Sequence, residues 1–194
     1  KDILGFPLTH TNNGWLNLSG VEYVEIADND VMTFAGDKPF SVEAWIHMDD
    51  IIDFPIISKG AAYTNAEWFF SVNSASKLDF TLLDNSASAY EKAIYNSALS
   101  AGQWYHVLGT YDGRAGASAN AGIVLYLNGD SVATTLSDSG TYVAMENLGS
   151  TFKVGVYSTD EATGKIDEVK VYNRVLSAAE VTKNYNHGKG KHKN

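Results

Sequence analysis

The chain alternates apolar and polar residues with a period of two over much of its length. The clearest run spans 40–48. Phe40, Val42, Ala44, Ile46 and Met48 fall on one side, and Ser41, Glu43, Trp45 and His47 on the other. Successive side chains of an extended chain point to opposite faces, so this run predicts a β-strand with one core face. Similar runs predict strands over 21–26, 67–72, 78–83, 104–111, 122–127, 131–135, 152–157 and 165–172, with Gly, Asn, Asp and Ser clusters between them. Leu127-Asn128-Gly129-Asp130 predicts a hairpin, because Asn-Gly supplies the positive φ of a type I′ turn. Many short, turn-punctuated strands predict a sandwich or barrel. One short helix is predicted from Ser177 to about Asn184, opened by the capping box Ser177-Ala178-Ala179-Glu180. Residues 1–187 are read as one domain and 188–194 as a basic flexible tail.

Composition narrows the function classes. The net charge is −9, and Lys189, Lys191 and Lys193 lie in the tail, so the body is more acidic still. Nucleic acid and anionic membrane surfaces need clustered Lys and Arg, so neither is an expected partner. No apolar run approaches the roughly 20 residues of a membrane helix. The chain has no cysteine, which excludes disulfides, thiol nucleophiles and thiolate metal sites. It begins at Lys1 without Met or a signal-like stretch, the pattern expected of a mature product or a piece of a longer chain.

The blocks PFSVEAWIHM (39–48), IISKG (56–60), LSAGQWYHVLGTYDG (99–113), IVLYLNGDSVATT (123–135), FKVGVYS (152–158) and GKIDEVKVYNRVLSAAEV (164–181) occur in that order. Together they resemble the LamG-like jelly-roll family (laminin G and concanavalin A-like lectins and glucanases). The opening LNLSGVEYVEI (16–26) departs from the family's acidic first block, with Ser19 and Glu22 in place of its acids. The resemblance implies an all-β fold: a two-sheet antiparallel jelly-roll β-sandwich, concanavalin A-like, with one short C-terminal helix. It also implies recognition of glycans, proteoglycans or proteins through rim loops, often beside a calcium ion.

Asp167 is the main metal candidate. Period-two alternation puts it on the apolar face with Val169 and Val171, where an unpaired carboxylate is costly. A Ca²⁺ ion would compensate it, since calcium takes oxygen ligands and mixes carboxylates with carbonyls. The resemblance implies that its other ligands are backbone oxygens of earlier loops, here Gly36 and Asp37. The alternative is that Asp167 accepts backbone N–H bonds or pairs with a lysine. The acidic groups Asp28 with Asp30, and Asp49 and Asp50 with Asp53, lack EF-hand spacing and read as solvated turns. His106 shares a face with Trp104 and Leu108 and reads as a packed histidine.

Aromatic side chains grip sugar faces through apolar contact beside polar groups. Trp45 and Trp104 lie within strand blocks and read as core. Tyr63 and Tyr90 lie in loop-like stretches near Asn65 and Asn85. Tyr63, Asn65, Tyr90, Tyr157 and Asp160 form the candidate ligand surface, against the alternative that these rings only pack on their own loops. Glucanases of this fold carry E-x-D-x-x-E, which sets a nucleophile and an acid on one strand face. No glutamate here is followed two residues later by aspartate, and neither a G-x-S-x-G elbow nor a P-loop is present. The expectation is a non-catalytic, lectin-like carbohydrate-binding module at a cell or virion surface or outside the cell. Its partner would be a glycan or polysaccharide, with a protein partner open. The alternative is a structural or adhesion domain of a larger surface or phage virion protein without sugar specificity, suggested by the ending VTKNYNHGKGKHKN (181–194).

Overall fold

The alternation along 40–48 appears in the structure as a sheet with two chemically distinct faces. The computed structural model describes residues 4–5 and 14–193. In chain order the strands are β1 (Leu4–Gly5), β2 (Leu16–Ser19), β3 (Val24–Ile26), β4 (Phe40–Met48), β5 (Phe54–Lys59), β6 (Trp68–Val72), β7 (Leu78–Asp84) and β8 (Ala89–Tyr95). They continue as β9 (Trp104–Tyr111), β10 (Ile123–Leu127), β11 (Asp130–Ser131), β12 (Thr134–Ser139), β13 (Phe152–Val154), β14 (Val156–Tyr157), β15 (Asp160–Glu161) and β16 (Thr163–Tyr172). One helix follows, α1 (Ala178–Gly188).

The first sheet has the order β1-β16-β4-β9-β10-β11, with β2 also paired to β16. The second has the order β12-β8-β7-β6-β5-β13-β3, and β14 with β15 forms a separate hairpin. The pairings among the described residues are antiparallel. The architecture is therefore the all-β two-sheet sandwich with a C-terminal helix that the sequence predicts.

The inward faces meet in one apolar core. Phe40, Val42, Ala44, Ile46 and Met48 of β4 pack with Trp68, Phe70 and Val72 of β6 and with Leu78, Phe80 and Leu82 of β7. The Phe40 ring lies 5.2 Å from Trp68 and 5.5 Å from Phe80, centroid to centroid. Burying each such side chain stabilises the fold by about 1.5–3 kcal/mol. Gly109 on β9 makes room for this: a Cβ there would sit 2.7 Å from Phe80 Cδ1. At the tip of β10–β11 both Asn128 (φ 52) and Gly129 (φ 91) have positive φ, as the predicted hairpin requires.

Several expectations change. The run 89–95 is strand β8, not a loop, so Tyr90 sits on a sheet. Its Ala, Glu and Lys favour helix locally, but pairing with β7 and β12 on both sides overrides that preference. The run 152–157 divides into β13 and β14 at Gly155, whose φ is +84. The helix extends past Asn184 to Gly188, behind the Ser177–Glu180 capping box.

The flexible tail is also corrected. His192 is 4% exposed and stacks on Trp45 at 4.3 Å, while Lys191 Nζ lies 2.6 Å from Asp167 Oδ2. The segment following α1 is thus a strap across the outer face of the first sheet. Trp45 and Trp104 are buried as expected, but under this strap and not between the sheets.

α1 seals the same face. Leu108, Tyr126, Tyr172, Leu176 and Val181 form a small second core beneath it. Beside them lies Glu43, 0% exposed. Its carboxylate accepts hydrogen bonds from Lys170 Nζ at 2.9 Å, Tyr172 OH at 3.0 Å and Asn184 Nδ2 at 2.7 Å. His106 Nε2 lies 3.3 Å away but off hydrogen-bond alignment, and His106 is the packed histidine expected. Burial pushes the Glu43 carboxyl up, but the contacts with His106 and Lys170 outweigh it and hold it at about 2.

The ordinary value is 4.5, so Glu43 stabilises the fold fully above that pH and loses its contribution as pH falls towards 2. Glu43→Gln is expected to cost about 1.5–3 kcal/mol at neutral pH, the range for hydrogen bonds to a charged group. It should also flatten the acid limb of stability. Urea unfolding of both proteins across this pH range checks both effects.

Candidate functional site

Two places gather chemically active side chains. The first is on β16. A register shift lies between Asp167 and Lys170, where Glu168 has φ 49. One extra residue in a strand reverses the alternation beyond it. Val169 and Val171 therefore face the core, whereas Asp167 faces outward opposite Trp45. This corrects the predicted face of Asp167. Its Oδ1 accepts from the Glu168 N–H at 2.8 Å, and its Oδ2 meets Lys191 at 2.6 Å and His192 Nε2 at 2.8 Å. Burial alone would raise the Asp167 carboxyl, but His192, Lys191 and the Glu168 amide hold it below the usual range.

Gly36 and Asp37 do not join it: they precede β4, with the Asp37 carbonyl beside Gly113, whereas Asp167 pairs with Trp45 midway along that strand. The Asp37 carboxylate accepts from Tyr142 OH at 2.7 Å and the Met145 amide at 3.3 Å, and the Gly36 N–H donates to the Met145 carbonyl. Among the described residues, Asp167, Glu168 and His192 form the group that could hold a metal ion, with ligand atoms within 4.8 Å of one another. An imidazole beside two carboxylates suits a transition metal better than calcium, which prefers oxygen. Lys191 already supplies a positive charge there. Nothing in this donor set selects calcium.

The second place is a groove of about 360 Å³ on the outer face of the second sheet. β7 turns Leu78, Phe80 and Leu82 to the core, so Asp79, Thr81 and Leu83 face out. Register places Ser71 and Ile94 beside Asp79, and Phe69 and Lys92 beside Thr81. The floor of the groove is thus built by β6, β7 and β8. Its walls come from Asp53 before β5, Tyr63 in the β5–β6 loop, and Tyr157 and Asp160 of the β14–β15 hairpin. Phe69 stacks on Tyr157 at 4.3 Å, and Tyr63 stands edge-on to both rings. Tyr63 is 61% exposed, whereas Tyr157 is 6% exposed and its hydroxyl has no hydrogen-bond partner among the described residues.

The groove is acidic. Asp79 accepts from Thr81 Oγ1 at 2.7 Å and Asn73 Nδ2 at 3.4 Å, with Lys92 at 3.9 Å. Burial nevertheless pushes its carboxyl up. Burial, and then the charge of Asp160, push Asp53 up as well. The Tyr63 phenol is raised by desolvation first and then by Asp79, Tyr90, Asp160 and Asp53.

A second hollow of about 330 Å³ lies on the other side of Tyr63, lined with Asp84, Asn85, Ser88 and Tyr90. Both volumes fall in the roughly 300–1,000 Å³ range of small-ligand clefts. Of the predicted ligand residues, Tyr63, Tyr157 and Asp160 line the groove, and Tyr63 and Tyr90 line the hollow. Asn65 lines neither and instead caps its own loop, its Oδ1 accepting from the Ala61 and Ala62 amides. Sequence reasoning missed Phe69, Asp79 and Lys92 and read Asp53 as a solvated turn. The available signal was Asp79, a carboxylate alternating with Leu78, Phe80 and Leu82 in a predicted strand.

Residues 18–182 match the family model described as the concanavalin A-like lectin/glucanases superfamily. No curated protein matches the chain. Solved structures of similar fold include domain 4 of AbnA, an extracellular arabinanase from Geobacillus stearothermophilus, in complex with arabinotriose. It has a TM-score of 0.63 and 17% identity over 94% of this chain and 81% of that one. The receptor binding domain of botulinum neurotoxin C/D mosaic serotype has a TM-score of 0.63 and 16% identity, covering 96% of this chain and 46% of that one. A heptameric pentraxin from Limulus polyphemus has a TM-score of 0.50 and 17% identity, covering 93% and 80%. At these identities the likeness is one of fold.

A buried hydroxyl without a partner costs desolvation and returns no hydrogen bond to the fold, which is the situation of Tyr157 among the described residues. Tyr157→Phe is expected to leave stability unchanged or raise it by up to about 1 kcal/mol. Thermal and urea unfolding check this. A loss of more than about 1 kcal/mol would show that the hydroxyl serves the fold.

Proposed function

The chain belongs to the concanavalin A-like lectin/glucanase superfamily, and from that premise we propose that it is a non-catalytic, lectin-like module that binds glycans in the groove over the second sheet. The observation that carries this reading is the wall of Tyr63, Phe69 and Tyr157 beside Asp53, Asp79, Asn73 and Lys92. Rings offer an apolar platform for the C–H face of a sugar, and the polar groups beside them take its hydroxyls. The arabinotriose bound to the arabinanase domain of the same fold supports a saccharide ligand. That relative is extracellular and the toxin relative is a receptor-binding domain, which supports placement outside the cell or on a surface. Among the described residues no helix is long and apolar enough to cross a membrane.

Asp79 is tethered by Thr81 and Asn73, with Lys92 nearby, which favours fixed recognition over proton transfer. A bound oligosaccharide is therefore expected to be recovered intact after prolonged incubation. A structural or adhesion domain without sugar specificity is the competing reading.

A glycan array separates the two. Wild type is expected to bind a defined set of sugars. Tyr63→Ala should lose about ten-fold or more in affinity, as burying an aromatic-sized apolar face contributes about 1.5–3 kcal/mol, while its melting temperature stays put. Binding to no sugar by folded protein would favour the adhesion reading.

Calcium is the ion that the family resemblance implies, and its role is tested separately. Because Lys191 already neutralises Asp167, a chelator is expected to leave both sugar binding and the melting temperature unchanged. A fall in melting temperature that Asp167→Ala abolishes would establish a structural calcium ion instead.

A further inference from the structure

The groove has more negative charge than its surroundings balance. It is lined by Asp53, Asp79 and Asp160 against one cation, Lys92. Lys92 is already engaged, 3.9 Å from Asp79 and 5.0 Å over the Tyr90 ring. Asp53 and Asp160 have no cationic partner among the described residues, and Asp160 raises the Asp53 carboxyl through like-charge repulsion. Beside them Tyr63 leaves most of its ring open. Two uncompensated carboxylates next to an open ring fit one chemistry best. That is a saccharide ring carrying a protonated amine: the ring lies on Tyr63, and the ammonium lies between Asp53 and Asp160.

We propose that the groove selects amino sugars with a free amine over their N-acetylated and neutral counterparts, a proposal that rests on the glycan-binding reading above. An ammonium placed there gains from both carboxylates and from the faces of the tyrosine rings. An N-acetyl group brings no charge and leaves the repulsion between Asp53 and Asp160 in place. Anionic sugars are repelled.

The test is calorimetric titration at pH 6 with a short β-linked glucosamine oligosaccharide, its fully N-acetylated form, and the glucose oligomer of the same linkage and length. The glucosamine oligomer is expected to bind about five-fold tighter than either, the equivalent of about 1 kcal/mol for a partly exposed ion pair. That advantage should shrink as salt rises through the range where exposed charges are screened. In Asp53→Asn, Asp160→Asn and the double variant, the three affinities should converge to within about two-fold of one another. Equal or weaker binding of the glucosamine oligomer, with Tyr63→Ala still abolishing binding of the other two or of an array-positive sugar, overturns the amine selection and leaves the glycan site standing. Failure of folded wild type to bind any of the three or any sugar on an array overturns both.

Discussion

The tilted and edge-to-face packing of Phe40 of the first sheet against Trp68 and Phe80 of the second joins the two halves of the molecule, and the rest of the structure depends on it. Around it the alternation of β4, β6 and β7 fills the interior with side chains that carry no charge. That contact needs Gly109 across from Phe80, because any side chain there would meet the ring. Once the inner faces are committed, all chemistry must lie on the outer faces and rims.

The two outer faces have different fates. On the first sheet Glu43, Trp45 and His106 would be poor surface residues, and α1 with the strap that follows it covers them. The cover is tied down by polar contacts: Asn184 to Glu43, and Lys191 and His192 to Asp167. The perturbed carboxylates of this face are explained by partners within the chain. On the second sheet no α-helix of the described residues lies over β6, β7 and β8. Asp79 remains buried there with its carboxyl raised, and Tyr63 stands largely in solvent. Three of the chain's 23 acidic residues, Asp53, Asp79 and Asp160, line this groove beside its aromatic walls.

The fold was legible because alternation is a local signal. The 104–111 run matched β9 residue for residue, and the Asn128-Gly129 turn and the Ser177 capping box also held. The errors arose where non-local contacts decide. β8 has a helix-favouring composition and is a strand only because β7 and β12 flank it. The bulge after Asp167 reverses a face that strict alternation assigns to the core. The strap looks solvated by composition, yet His192 finds Trp45 across the sheet. In the groove, Tyr63, Tyr157 and Asp160 were legible as rim aromatics and an acid. Asp79 and Phe69 were not, because only cross-strand register brings them beneath those loops.

The central claim is that ligand binds over the second sheet and not at the Asp167 cluster. Its most direct measurement is backbone amide NMR during titration with an array-positive glycan. The account predicts that shift changes concentrate at Phe69, Ser71, Asp79, Thr81, Tyr157 and Asp160, the floor and wall of the groove. Changes confined to Asp167, Glu168 and His192, with the groove silent, would contradict it.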